Sequence, residues 1–178
     1  MSSIVIAGDT SGSVTLSAPA VAGTVTVTLP AASGTMLTTA TAGVPVNGPA
    51  FSAWQSSAQT LTSNVLTKIL YQSELWDTNS NYDTSTSRFT PTVAGYYQIN
   101  AAVCTGASSS QQLLAIYKNG ALYQRNDIPS ININQISSIV SLNGSTDYIE
   151  IYASFGTGQI TSANVNLNWF NGAMVRGA

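Results

Sequence analysis

The sequence predicts an all-β protein: a β-sandwich of jelly-roll type preceded by an N-terminal β-rich arm. Three observations predict it. Short runs of alternating character recur along the chain, the period-two pattern of a strand with two different environments. Turn residues punctuate them at regular intervals. No stretch shows a convincing helical period; residues 61–70 come nearest, but the run is short and rich in β-branched residues.

The clearest alternation follows Gly95. Tyr97, Ile99, Ala101 and Val103 fall on one face, and Tyr96, Gln98, Asn100 and Ala102 on the other. One face is fit for a core. The other carries an aromatic and two amides, which suits a wet surface or a subunit contact.

Taken in order, residues 1–38 form a distinct block. Asp9 is its only charged residue, and Ser, Thr, Gly, Ala and Val dominate it. Alternating runs at 13–16 and 24–29 read as short strands. With no aromatic and little large apolar volume, this arm cannot offset the entropy of ordering by itself. It is expected to fold against a partner surface, a sister subunit or the rest of the chain. Residues 39–50 read as a linker, because Gly43, Pro45, Gly48 and Pro49 leave no room for a helix or a central strand.

From Phe51 the texture changes. All three Trp, all eight Tyr and all four Phe lie between Phe51 and Phe170, so the core is expected in 51–178. Strands are expected at 51–57, 65–71, 95–105, 111–117, 121–125, 133–142, 147–155 and 165–175. Lys118-Asn119-Gly120 reads as a hairpin turn, since Asn-Gly tolerates positive φ. Leu142-Asn143-Gly144-Ser145 reads as another. About eight strands at this spacing argue a sandwich.

Composition bounds the function. The chain has 178 residues, enough for one domain with a real core plus an appendage. Only 7% of them are charged, against about 25% in an average protein. The net charge is −2 with no basic run, so nucleic-acid binding is not expected. No apolar run approaches the ~18 residues of a membrane span, and membrane insertion is not expected. With no histidine, neither a Ser-His-Asp triad nor a His-ligated metal site can form. Cys104, the single cysteine, lacks a His base to activate it and reads as a small buried hydrophobe. Asp77 and Asp83 could meet in a loop. With Asn79 and Asn81 they space oxygen side chains as a calcium loop does, but the Gly and closing Glu of an EF-hand are missing. A polar turn is the expectation; no catalytic residue, cofactor or metal is assigned, and the chain is not expected to be an enzyme.

Six segments carry a resemblance. Phe51-Ser52-Ala53, Asn81-Tyr82-Asp83 with Arg88-Phe89-Thr90-Pro91, Gly95-Tyr96-Tyr97-Gln98-Ile99, Lys118-Asn119-Gly120, Gly144 to Ile151, and Trp169-Phe170-Asn171-Gly172-Ala173 follow one another in the order of the C1q/tumour-necrosis-factor-like domain. The match runs over 51–178. It departs at Ile99, where the family has Phe, and at Ser145-Thr146, an insertion before Asp147. The resemblance implies a ten-stranded jelly roll that assembles as a homotrimer. If Tyr97, Ile99, Ile149, Ile151 and Phe170 face the core, one sheet would present Tyr96, Gln98, Tyr148, Tyr152 and Trp169 outward. Exposed aromatics of this kind mark an interface, and these five residues are the expected trimer contact.

The arm carries a second resemblance. Residues 8–16 and 28–37 look like low-charge segments of tailed-bacteriophage structural proteins. Residues 1–38 also lack a secretory-type basic start and a Gly-x-y stem. The implied location is the virion, on the capsid surface or a fibre. The expected function is a homotrimeric capsid decoration (cement) protein anchored by its arm to the major capsid protein. The alternative is a receptor-binding knob on a tail or head fibre, held by a fibre or tail protein and reading a host surface glycan through the loops at 79–87, 108–112 and 154–161. A non-viral C1q-like lectin is a third reading.

Overall fold

A computed structural model describes residues 3–7, 10–17, 21, 48–129 and 131–178. The chain divides into two units, Met1–Leu37 and Thr38–Ala178. In the first, β1 (Ser3–Ala7) pairs antiparallel with β2 (Ser13–Ser17), from Ser3 opposite Ser17 to Ala7 opposite Ser13. Gly12 turns the ribbon at φ 78°. Ile4, Val5 and Ile6 are all exposed on it. The strand expected at 13–16 is therefore present, and β1 is an addition. The strand expected at 24–29 and most of the linker, 39–47, lie outside the described residues.

The second unit opens with β3 (Ala50–Trp54), β4 (Thr60–Leu61), β5 (Thr67–Lys68), β6 (Ser73–Asp77), β7 (Tyr82–Asp83) and β8 (Arg88–Phe89). The long β9 (Ala94–Ser109) follows, then β10 (Gln112–Lys118), β11 (Ala121–Ile128) and β12 (Ile131–Asn143). It closes with β13 (Ile149–Phe155), β14 (Gln159–Ile160) and β15 (Trp169–Gly177). Two antiparallel sheets result. One runs β12-β9-β15-β3-β6; the other runs β11-β10-β13-β8-β7, with β5 also on β13. β4 and β14 make a small separate pair. No helix occurs among the described residues.

The alternation read from β9 holds. Tyr97, Ile99, Ala101 and Val103 are fully buried. They meet Leu114, Ile116, Ile149 and Ile151 of the facing sheet. Phe51 sits at the centre: it stacks on Phe89 at 4.3 Å and on Tyr82 at 5.0 Å, and Phe170 meets it edge-on at 4.8 Å. Each such ring contributes about 2–3 kcal/mol by burial, and each ring pair about 1 kcal/mol beyond its area. Tyr71 is buried to its hydroxyl, which donates to the Ala102 carbonyl, and the Tyr82 hydroxyl donates to the Tyr71 carbonyl. Burial, together with the neighbouring Tyr82, holds the Tyr71 hydroxyl well above its usual pKa.

The two turns expected as hairpins differ. Asn119 and Gly120, at φ 53° and 76°, join β10 to β11 as a hairpin. The 142–145 turn instead carries the chain from β12 in one sheet to β13 in the other. Asn143 Oδ1 accepts the N–H groups of Ser145, Thr146 and Asp147, a side-chain cap on a crossing rather than a ladder end. Gly144, at φ 70°, lies against the backbone of Val93 and Ala94; a Cβ there would fall 2.2 Å from the Ala94 nitrogen. Several expected strands are shorter than read. The 65–71 run keeps only Thr67 and Lys68 in the ladder, and the 165–175 run begins at Trp169 because Leu167 and Asn168 turn onto the Asn164 carbonyl.

Gly144→Ala must therefore displace backbone as well as strain φ. It is expected to cost at least about 2–3 kcal/mol, read as a lower urea midpoint with unchanged m-value. A loss under about 0.5 kcal/mol would show that the crossing is not constrained.

Candidate functional site

The outward side of the β12-β9-β15-β3-β6 sheet is built by register. Trp76, Ser52, Asn171, Asn100 and Ser137 stand in one row across all five strands, each directly opposite the next. The neighbouring row is Ala50, Ala173, Gln98 and Ile139, and on the other flank Trp54, Trp169, Ala102 and Gln135 line up. Cross-strand neighbours on one face are ~5 Å apart, so their polar groups meet. Gln98 Nε2 donates to Ser137 Oγ at 2.7 Å and to Asn100 Oδ1 at 3.1 Å. Ser137 Oγ donates to Asn100 Oδ1 at 2.8 Å, and Asn100 Nδ2 donates to Asn171 Oδ1 at 3.0 Å. The result is a charge-free ladder of amides flanked by tryptophans. A shallow depression of about 320 Å³ opens beside it, floored by Asn100, Ser137, Trp169 and Asn171.

Charge divides between the sheets. Lys68, Asp83, Arg88, Lys118, Arg125, Asp127 and Glu150 all lie on strands of the sheet containing β13. So do the ion pairs Lys68–Glu150, Arg88–Glu150, Lys118–Asp147 and Arg125–Asp127, with Asp147 in the turn leading into β13. On the opposite sheet β12, β9 and β3 have no charged residue; only Arg176 of β15 and Glu74 and Asp77 of the edge strand β6 do.

This partition corrects the expected grouping. Tyr96, Gln98 and Trp169 do share the outward side of one sheet. Tyr148 and Tyr152 do not: Tyr152 lies on β13 of the other sheet, and Tyr148 directly precedes that strand and packs against Arg88 of β8, so both belong to the other sheet. The misassignment has a physical cause. Alternation tells inward from outward but not which of two sheets a strand joins.

There the tyrosines serve a buried carboxylate. Glu150 is 2% exposed. Lys68 Nζ and Arg88 Nε each donate to its Oε1 at 2.7 Å, and the Tyr152 hydroxyl approaches Oε2 at 3.5 Å. The Arg88 guanidinium lies 4.1 Å over the Tyr148 ring, and Tyr152 packs on Tyr117 at 4.3 Å. Burial by itself would raise the Glu150 pKa, yet the hydrogen bonds from Lys68 and Arg88 hold it below its usual value. No local signal ties residues 68, 88 and 150 together, so sequence reasoning passed this hub by.

The other singled-out groups bond within their own segments. Asp77 accepts the N–H groups of Asn79 and Tyr82. Asp83 accepts from Ser85 and Thr86, which lowers its carboxyl to about 2. Both carboxylates thus close their own loop, as a polar turn does. Cys104 is buried, and burial raises its thiol pKa. Ser137 and Trp76 were missed as members of the amide face. Ser137 has no signature of its own, and β6 is irregular, with a bulge opposite Ser52 and Ala53.

No known family model matches the sequence, and no curated protein matches it. Among solved structures the chain is similar to the globular domain of zebrafish complement 1qA protein, at 16% identity and a TM-score of 0.57 over 74% of this chain and 100% of that one. It is similar to murine APRIL at 8% identity, TM-score 0.59, over 72% and 100%. The PRD1 vertex protein P5 shares 14% identity at a TM-score of 0.50 over 71% and 96%. With the two-sheet topology, these likenesses define the fold class: an antiparallel jelly-roll sandwich. More particularly, it is a jelly roll of the C1q/TNF type.

Glu150→Gln should lower stability by about 1–3 kcal/mol at neutral pH, the cost of leaving the partly solvated Lys68 and Arg88 without their carboxylate. Because the folded pKa of Glu150 lies below its unfolded value, its contribution is complete above about pH 5 and declines as pH falls through the folded pKa. Urea midpoints of wild type should therefore fall more steeply below pH 5 than those of Glu150→Gln. Parallel curves would exclude this role for Glu150.

Proposed function

We propose that this chain is a structural virion protein, a homotrimeric capsid decoration protein held to the shell by its N-terminal arm. The observation that carries the trimer is the five-strand face. A sheet surface with an uncharged amide ladder, exposed Tyr96 and Ile139, and flanking tryptophans has the charge-depleted, aromatic composition of an interface core. The opposite face, with the ion pairs, is suited to solvent. The C1q/TNF-like resemblance supports a threefold assembly. Tyr96, Gln98, Asn100 and Trp169 form its contact, while Tyr148 and Tyr152 stay outside it.

The virion reading rests on the resemblance of residues 8–37 to phage structural proteins and on the fold likeness to the PRD1 vertex protein. The β1–β2 ribbon supports docking by the arm, since a two-stranded sheet with Ile4, Val5 and Ile6 exposed is marginal until covered. Its partner is the major capsid protein. A protein that binds only the assembled shell stabilises it by mass action, and three linked arms gain avidity.

A fibre knob is the second reading. The end of the sandwich opposite the chain entry at Gly48 favours it. There residues 55–66, 104–111 and 156–168 contain no charge, and a depression of about 410 Å³ opens beside Leu61, Gly106 and Ile160. An uncharged host glycan suits such loops.

Two measurements test these readings. Light scattering should give three times the chain mass for wild type and for Tyr148→Glu/Tyr152→Glu, and a smaller species for Asn100→Arg; a trimeric Asn100→Arg would move the interface elsewhere. Quantitative mass spectrometry of purified particles should give about one copy per capsid-protein subunit. A few copies to a few dozen per particle would replace decoration by the knob.

A further inference from the structure

Glu150 stands on the outward side of β13, since Ile149 and Ile151 beside it are fully buried in the core. Its side chain is nonetheless only 3% exposed, while those of Lys68 and Arg88 that bind it stay 23% and 40% exposed. A buried ion pair is a costly way to stabilise a sheet; what it does supply is cations in fixed places. Arg88 is held twice. Its Nε donates to Glu150 Oε1 at 2.7 Å, and its guanidinium lies 4.1 Å over the Tyr148 ring. Tyr148 is itself clamped by the hairpin turn: its N–H donates to Asn119 Oδ1, and its carbonyl accepts the Asn119 N–H. The two terminal nitrogens of Arg88 make no hydrogen bond among the described residues, and Lys68 Nζ uses one of its three donors on Glu150. Tyr117 stands opposite Glu150 and Tyr152 opposite Lys68, with their rings packed together at 4.3 Å. Lys68, Arg88 and the three tyrosines are each half-buried, so each keeps a part open to solvent.

We propose that this cluster is a binding site for a carboxylated sugar, a pyranose bearing one carboxylate. The free terminal nitrogens of Arg88 form the planar fork that takes a carboxylate in two parallel bonds, and Lys68 adds a second positive charge beside it. Two cations against Glu150 leave one net positive charge, the match for a monoanion. A polyanion calls for a basic run, and the sequence has none. The three tyrosines favour a sugar as the bearer of the carboxylate: they offer ring faces to the C–H side of a pyranose and hydroxyls to its own hydroxyls. Glu150 touches no ligand; it is a positioning residue that locks the fork in place. The site is on the sheet containing β13, away from the amide ladder, so it does not depend on the trimer reading. It is also separate from the uncharged loop end beside Leu61 and Ile160.

The test is titration of the full-length protein with methyl β-glucuronide, with methyl β-glucoside and acetate as comparisons, followed by amide chemical shifts. The glucuronide should bind in the millimolar range and shift residues 88, 148 and 152. The glucoside and acetate should each bind at least about tenfold more weakly, since each lacks one half of the contact. Arg88→Lys keeps the charge but loses the fork, and should weaken the glucuronide about tenfold. Arg125→Gln removes a cation elsewhere on the same sheet and should change nothing. Glu150→Gln separates positioning from charge: deleting a negative charge tightens anion binding if charge alone acts, whereas loss of the Arg88 anchor should weaken it about threefold. Equal affinity for glucuronide and glucoside would overturn the carboxylate fork, and equal affinity for acetate would overturn the sugar. Tighter binding by Glu150→Gln, no glucuronide binding at all, or wild-type shifts confined to 55–66, 104–111 and 156–168 would overturn the site. The wild-type shift map decides even where a variant fails to fold.

Discussion

Strand β9 pairs with β12 on one side and, from Gly95 to Ala102, with β15 on the other, and the rest of the body depends on that double pairing. Its period-two alternation is imposed on both neighbours through the register. Once Tyr97 and Ile99 face the core, Val140, Phe170 and Gly172 must face it too, and Gln98, Asn100, Ser137 and Asn171 must share the other side. A slip of one residue would bury the amides and expose the aromatic core. The apolar set excludes that slip, since a buried, unpartnered amide costs ~1–3 kcal/mol and several would move together. The same pairing that secures the sandwich therefore assembles the polar ladder on its outer side.

Part of the body was legible because β9 alternates after Gly95. The inward places of Tyr97, Ile99, Ile149, Ile151 and Phe170, the Asn-Gly hairpin after β10, and the outward place of Gln98, Asn100 and Asn171 follow from local pattern. What escaped was non-local. Two-residue strands such as β7 and β8 have no period to read. The 142–145 turn has hairpin chemistry but crosses between sheets, since a turn motif specifies φ and ψ and not the identity of the next ladder. Tyr148 and Tyr152 were placed on the wrong sheet for the same reason. The Glu150 hub joins side chains 82 and 62 residues apart, which no window of sequence contains.

The two outer faces show two ways of managing polar groups with few charges. On the β13 side, cations converge on Glu150 and Asp147, so burial is compensated by charge-assisted hydrogen bonds. On the β9 side, neutral amides and a serine satisfy one another and keep valences for a further partner. The first arrangement is complete within one chain. The second has a regular array of donors and acceptors with room above it, which suits a surface that forms contacts rather than one that only bounds the molecule.

An amide ladder also changes how such a face behaves in water. A leucine-rich face would be driven from water as soon as it folded and would stick to the first apolar surface it met. Amides and hydroxyls hydrate readily and release that water at modest cost. A face of this kind is thus less prone to indiscriminate apolar contact than a leucine-rich one would be. Under the trimer reading, association would then be selected by the geometry of hydrated donors and acceptors rather than by bulk apolar attraction.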